Sequence, residues 1–498
     1  MLEMMTKKSL VRSVGLKKID WFNILPYVIL TVLVISYAVF FSILSIDRHN
    51  RFVTTSFDLA IFDQAIWQFS RFSTPFNTVR GLHILGDHFA LINALISPLY
   101  WFIDDVRALL ALQSIILAAA AIPLFLIAKH YFNSKWIPLL FCFSYLLFPA
   151  LHYGNLEDYH PEAFAPFFLL FAFYFIINGK KWHYLIFFFL ALTVREDVAL
   201  TTFLMGIYIY FKHDKKLGIF TSIFSLICAV CAITFLIPFF RGASYLYTDR
   251  VLGEFGSRSA EILSKLLNPQ FMFSKFFNQA NATYMWELFS PVGFLSLLSP
   301  AVLIMSSSLW IGLIAAWPYA HSIHYHYVIP IMPFVFLSLI IGIAKFKKRK
   351  IFVYLFLSIL VICTLIGNYR ISPYNSSIKN YDQIMNNLKD FNVPSENDKQ
   401  VYELIAMIPK NASISASHSF VSHLTHRNRI FMFSNPFKNA NYDDPKGEYY
   451  LLEKPDYVFV RDFDVKEAMS FLQPWLQNNT YKSINKTKGS DELFVRVV

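Results

Sequence analysis

The sequence predicts an all-α polytopic membrane domain of about eleven transmembrane helices, followed by a small C-terminal α/β domain outside the membrane. Three observations lead there. The chain of 498 residues is 56% hydrophobic and only 15% charged, whereas soluble domains carry about 25% charged residues. Apolar runs near the length that crosses a bilayer recur through residues 22–367. From residue 370 the composition turns polar and no further span fits, so the chain divides into 1–369 and 370–498.

The candidate spans, in order, are 22–46, 106–129, 136–152, 163–178, 182–195, 198–211, 217–239, 287–304, 306–320, 327–344 and 351–367. The first is too long for a signal-peptide core and lacks a small-residue cleavage site, so it reads as a retained helix. Basic residues in short loops set the orientation. Lys7, Lys8, Arg12, Lys17 and Lys18 precede the first span. Lys129 and Lys135, Lys180 and Lys181, then Lys212, Lys215 and Lys216 mark later loops. A last cluster is Lys345, Lys347, Lys348, Arg349 and Lys350. All fall on one side, the cytoplasm, which leaves the C-terminus outside a cell membrane. The apolar stretch between Lys181 and Lys212 is interrupted by Arg195-Glu196-Asp197 and is basic at both flanks. It must therefore go out and return as two short helices, with the charged trio at the turn. Charges at that depth are costly unless they face a water-filled cavity. No basic residue marks the inner end of 305–326, so its course stays open.

Two long outer loops follow from this topology. The first, 47–105, contains Ser56–Trp67, where Phe57, Ile61 and Ala65 repeat every four residues. That spacing predicts a helix with one apolar face on the membrane surface. Asp58 and Asp63 then point about 140° apart, and Asp58 is the candidate for work at an active site. A second surface helix is expected over Phe89–Ile103, broken by Pro98. The second loop, 240–286, holds Arg241, Tyr245, Tyr247, Asp249, Arg250, Glu254 and Arg258. In the tail, helical patterns lie at 378–390, 398–408 and 465–478, and strands at Ala412–Ala416, Ile430–Phe433 and Tyr457–Arg461. Asn281, Asn375, Asn411, Asn478 and Asn485 stand in N-x-S/T triplets, all on the outer side.

The net charge of +11 sits in short loops between apolar runs, which points to membrane lipids and excludes nucleic acid. Cys142, Cys228, Cys231 and Cys363 lie inside apolar runs and read as small core residues; Cys228 and Cys231 are a weak metal signal without a second pair.

Four polar clusters fall on the outer side. They are Asp58 with Asp63; His83 with Asp87 and His88; Glu157-Asp158-Tyr159-His160-Pro161-Glu162; and Arg195-Glu196-Asp197. Carboxylates and imidazoles that converge suit general-base work or a divalent cation, Mg or Mn. Glu157, Asp158 and His160 are the expected metal ligands. Arg195, Glu196, Asp197, Asp63, His88, His160 and Glu162 are the expected substrate-binding groups. Each cluster also reads as an ordinary solvated loop, a reading least adequate for the trio at 195–197. His321, His324 and His326 alternate with tyrosines and read as interfacial anchors. His418, His423 and His426 in the tail match no strong zinc spacing and read as structural or surface groups.

The words FDLAIFDQAIW, DHFALINALISPLYW, NLEDYHPEA and REDVAL, in this order, resemble the DUF2079 family of membrane proteins, and IPKNASISASHSFVSHLTHR resembles that family's C-terminal part. DUF2079 in turn resembles the GT-C superfamily of glycosyltransferases. That resemblance implies two surface helices in the first outer loop, an acidic residue there falling on Asp58, and a polyprenyl-phosphate-linked sugar donor. The element before the second span is represented by Asp87-His88 and Pro98-Leu99-Tyr100. Where the family word has Lys, this chain has Arg195, which grips a phosphate as a fork rather than a point charge. The implied reaction is inverting transfer to an acceptor hydroxyl on the outer face, with Asp58 taking the proton and Arg195 facing the leaving phosphate. The rival class is a transporter or flippase, which also explains many helices and charges at membrane depth.

Overall fold

The computed structural model describes residues 21–256, 259–373, 395–437 and 454–497. The basic cluster before the first span, Arg258, Asn375 and the helix expected at 378–390 lie outside the described residues.

Five helices are long and apolar enough to cross a membrane: Phe22–Asn50, Arg107–Phe132, Lys215–Arg241, His326–Ala344 and Lys350–Ile371. A sixth forms if Ile137–Leu146 and Pro149–Leu156, bent by 44°, count as one span. Full-length helices among the described residues therefore do not reach the expected eleven. Prolines explain part of the difference. The runs expected at 287–304 and 306–320 break into Gln279–Phe289, Pro300–Leu303 and Ser307–Ile314, with tight turns at Ser290–Val292 and Leu295–Leu298. Pro291 and Pro300 cannot donate to a continuing helix, and Gly293 at φ +59° turns the chain away.

The helix His326–Ala344 is the centre of the bundle, with 89% of its apolar window buried, against 22–28% for Phe22–Asn50, Lys215–Arg241 and Lys350–Ile371. Those three present Val32, Ile35, Val39, Ile223, Leu226, Ile227, Ile351, Leu355 and Ile362 outward. Exposure to water would cost about 25 cal/mol per Å², whereas lipid tails accept such a face without penalty.

Lys181–Leu192 and Val198–Lys212 are separate helices with Thr193–Asp197 between them, as the basic flanks require. Val198–Lys212 lies close against Lys215–Cys231 because glycines allow it. A Cβ on Gly206 would sit 2.6 Å from the Ser222 backbone nitrogen, and one on Gly218 2.6 Å from the Tyr210 Cα.

The first loop departs from expectation. Its α-helix begins at Ile61 and runs to Ser70, so Asp58 precedes it and does not share its face geometry with Asp63. The apolar face of this helix is covered by protein. Ile61, Phe62, Asp63, Gln64, Ala65 and Ile66 are all buried, and Gln64 Nε2 donates to Thr78 Oγ1 at 2.9 Å and to the Arg427 carbonyl at 3.2 Å. The tail covers it. The second surface helix is short, Ile92–Ile96 followed by a 3₁₀ turn over Ser97–Trp101, and Leu95, Trp101, Phe102 and Ile103 stay exposed.

The tail carries a mixed five-stranded sheet in the order Ile430–Met432, Ile414–Ala416, Tyr457–Val460, Glu492–Arg496, Tyr481–Lys486. The first three strands are parallel and the last two antiparallel. Glu396–Ala406 starts on a Ser395/Asp398 capping box, and the short helix His418–Val421 and the longer Asp462–Gln477 follow it. The three expected strands form close to their expected places. The final hairpin escapes sequence reading because Lys482–Lys486 is an exposed, polar edge with no alternating pattern. Asn281 is buried, its Nδ2 donating to the Leu313 carbonyl at 2.9 Å, so it serves packing rather than carrying a glycan.

Candidate functional site

A cavity of about 900 Å³ opens where the first loop, the 157–162 bend, the 195–197 turn, the 245–252 segment and the start of the central helix meet. The helix Pro149–Leu156 ends at Glu157, and Pro161 forces His160 into extended backbone at φ −137°, ψ 136°. The sharp bend between them turns Glu157 and His160 to one side. His326 is the first residue of the turn that leads into the central helix, and its free backbone N–H donates to the Glu157 carboxylate. An anion is favoured at such a helix start.

Asp58 stands across from this bend. Its backbone, φ 63° and ψ −79°, is the strained γ-turn conformation, which costs about 1–3 kcal/mol and persists only where the surroundings enforce it. Asp58 Oδ2 lies 3.3 Å from His160 Nε2, and the Asp58 side chain is 40% exposed to the cavity while His160 is buried. His160 Nδ1 donates to the Glu157 carbonyl at 2.9 Å, which fixes Nε2 as the atom facing Asp58. The rings of His160 and His326 stack at 3.6 Å. His326 Nδ1 lies 3.3 Å from Glu157 Oε2, and its Nε2 3.7 Å from Glu162 Oε1.

Burial alone would lift the Asp58 carboxyl, but the charge of His160 and its hydrogen bond hold it well below the ordinary carboxylate range. Burial likewise pulls His160 down, yet Asp58, Glu157 and Glu162 push it up to about 10. The two behave as a carboxylate–imidazolium pair.

The turn at 195–197 supplies the next layer. Arg195 pairs with Glu162 and, through Nε at 3.3 Å, with Asp197. Glu196 accepts from the Phe89 backbone at 3.0 Å and from the Tyr245 hydroxyl at 2.9 Å, and meets His88 Nδ1 at 2.8 Å. Burial opposes its ionisation, but His88 and Arg195 hold it at about 2. Beyond this, Arg80 forks onto Asp87, which also accepts from the Tyr247 hydroxyl at 2.6 Å. His88 stacks on Tyr247 at 4.4 Å.

The cavity thus gathers Asp58, Glu157, His160, Glu162, Arg195, Glu196, Asp197 and His88. It leaves out two expected site residues. Asp158 turns back to accept from the Thr55 backbone at 3.0 Å and the Thr55 hydroxyl at 3.2 Å. Burial lifts it to about 6 against the attraction of Arg48. Asp63 is fully buried against the tail, accepting from Tyr100 and Thr425, with His426 Nε2 at 3.3 Å. Sequence reading took His326 for an interfacial anchor; its signal was its place at the start of a span, beside Tyr325 and Tyr327, which also line the cavity. The neighbouring His321 and His324 instead meet the Gly312 carbonyl and Ser322.

No curated protein matches the chain significantly. A family model described as a predicted membrane protein matches residues 48–492, and the chain belongs to that family, DUF2079.

Proposed function

We propose that this membrane protein is a glycosyltransferase that moves a sugar from a polyprenyl-phosphate donor to an acceptor hydroxyl at the outer membrane face, with inversion. The observation that carries the reading is Asp58: an ionised, strained carboxylate on the wall of a ligand-sized cavity at the edge of the bundle. In this reading an acceptor oxygen attacks the anomeric carbon, its proton passes to Asp58, and the bond from that carbon to the phosphate oxygen breaks. The aromatic wall of Tyr245, Tyr247, Trp317, Tyr319, Tyr325 and Tyr327 offers ring faces for a sugar, and Arg250 lies over two of them at 5.0 and 4.6 Å. Arg195 is already neutralised by Glu162 and Asp197, so it positions those carboxylates rather than meeting the phosphate alone.

The test is the lipid extract and envelope glycans of cells with and without the gene, read by mass spectrometry, followed by label transfer from the accumulated lipid-linked sugar to acceptor by the purified chain. Accumulation of a polyprenyl-phosphate sugar and its transfer by the wild type, lost in Asp58→Asn, supports the proposal. Unchanged lipids, or movement of the lipid across vesicles with no covalent change, overturns it.

A further inference from the structure

We infer that Asp58, Glu157, His160 and His326 form a binding site for one divalent transition-metal ion. One ligand atom from each of these residues lies within 4.8 Å of all the others. Ligands about 2.0–2.2 Å from a single ion stand at most about 4.4 Å apart. Shifts of a few tenths of an ångström in side chains therefore close the set.

Two independent features point to an ion rather than to ion pairs alone. The first is buried ring nitrogens aimed at carboxylates. His160 Nε2 and His326 Nδ1 belong to residues 1% and 6% exposed, and each faces a carboxylate oxygen of the cluster at 3.3 Å in poor hydrogen-bond alignment, with no other partner among the described residues. Their opposite nitrogens are oriented as metal-ligating imidazoles usually are, with one against a carbonyl or carboxylate. His160 Nδ1 meets the Glu157 carbonyl at 2.9 Å, and His326 Nε2 faces Glu162 at 3.7 Å. Glu162 is in turn held by Arg195, so the buried trio braces the ligand shell. The second feature is charge. Six carboxylates and three guanidiniums line the cavity, a negative excess that attracts a cation, and a bound cation would offset that excess where a phosphate enters.

The donor set names the class. Two imidazoles with two carboxylates suit Mn²⁺, Fe²⁺, Co²⁺ or Zn²⁺, whereas Mg²⁺ and Ca²⁺ take oxygen ligands. Asp158, whose Oδ2 is bonded to Thr55 and which does not line the cavity, stands outside the ligand set.

The inference concerns the site alone, and its test does not use sugar transfer. The full-length chain in detergent, stripped with chelator, is titrated with Mn²⁺ followed by electron paramagnetic resonance and with Co²⁺ followed by visible absorption. The expected result is one ion per chain, with affinity reduced by about 10–100-fold or more in His326→Ala and in the volume-conserving Glu157→Gln. The thermal midpoint of the wild type should rise with ion, and that of Glu157→Gln should not. No saturable binding, or binding unchanged in Glu157→Gln, overturns it. A chain that shows no saturable ion binding yet transfers sugar overturns this inference and spares the transferase reading; one that binds the ion and transfers nothing does the reverse.

Discussion

Replacing Asp63 should loosen the tail from the first loop while leaving the helix bundle intact. Asp63 is fully buried and accepts from the Tyr100 hydroxyl, the Thr425 hydroxyl and His426. In Asp63→Ala, Tyr100 and Thr425, 1% and 2% exposed, lose their acceptor and cannot reach water. A buried polar group left unsatisfied costs about 1–3 kcal/mol. His426 is less affected, because its Nδ1 keeps Asp104 at 2.9 Å. The two orphaned hydroxyls together put the loss at about 2–6 kcal/mol, enough to open a contact of ordinary strength. Asp63→Asn keeps one acceptor and should lose about half as much. Hydrogen exchange of the wild-type and variant chains reads the outcome directly. Protection should fall across Ile414–Met432 and Ile61–Ser70 together, since each is the other's cover, while Phe22–Asn50 stays protected. Unchanged exchange at Ile414–Met432 in Asp63→Ala would refute the reasoning.

Three further outcomes follow from the same geometry. Asp58→Asn should cut sugar transfer by about 10²–10⁴-fold, the range for a removed general base, with the exchange profile of the tail unchanged. Burial pulls His426 down, but Asp63, Asp104 and Asp105 raise it above its ordinary value of 6.5; with Trp67 stacked at 5.9 Å and Tyr100 at 4.7 Å, these are the groups that face it. Its contribution is therefore full below pH 6.5 and is lost as pH rises through the raised folded value, so tail protection should weaken on going to alkaline pH, and His426→Gln should flatten that dependence. Gly218→Leu should separate Lys215–Cys231 from Val198–Lys212, where overpacking costs about 1–3 kcal/mol, and should lower the melting midpoint in detergent.

What local pattern encodes, the sequence displayed. Basic flanks and a charged interruption give the two short helices around Arg195-Glu196-Asp197, because both signals sit within one stretch of chain. The word Glu157 to Glu162 carries its own bend in Pro161. Periodicity misled at Phe57, Ile61 and Ala65, since spacing cannot show that the helix starts only at Ile61 and that Asp58 precedes it in a strained turn. Long-range pairs were invisible for a different reason. His326 meets Glu157 across 169 residues, and nothing near either residue marks the other. The tail histidines show the same limit: the sequence reads them as structural or surface groups without naming a partner, and each meets the first helix or the first loop, His423 stacking on His49 at 3.9 Å and His426 holding Asp63.

Those contacts also explain how Asp58 keeps a conformation that an isolated loop would abandon. The residues before it are clamped from two directions. Ser56 is bonded to His418 of the tail and Phe57 packs on the same ring at 5.6 Å, while Thr55 is bonded through both backbone and hydroxyl to Asp158. Immediately after Asp58, Leu59 and Ala60 are wholly buried. A strain of about 1–3 kcal/mol is tolerable when several such contacts fix the flanking residues. Asp158 and His418 therefore matter to the site without entering it: one holds the loop from the bundle, the other from the tail, and Asp58 faces the cavity only while both hold. The C-terminal tail is on these contacts a structural part of the site, and loss of its contact at Asp63 should reach Asp58 through Ser56 before it reaches any residue of the bundle.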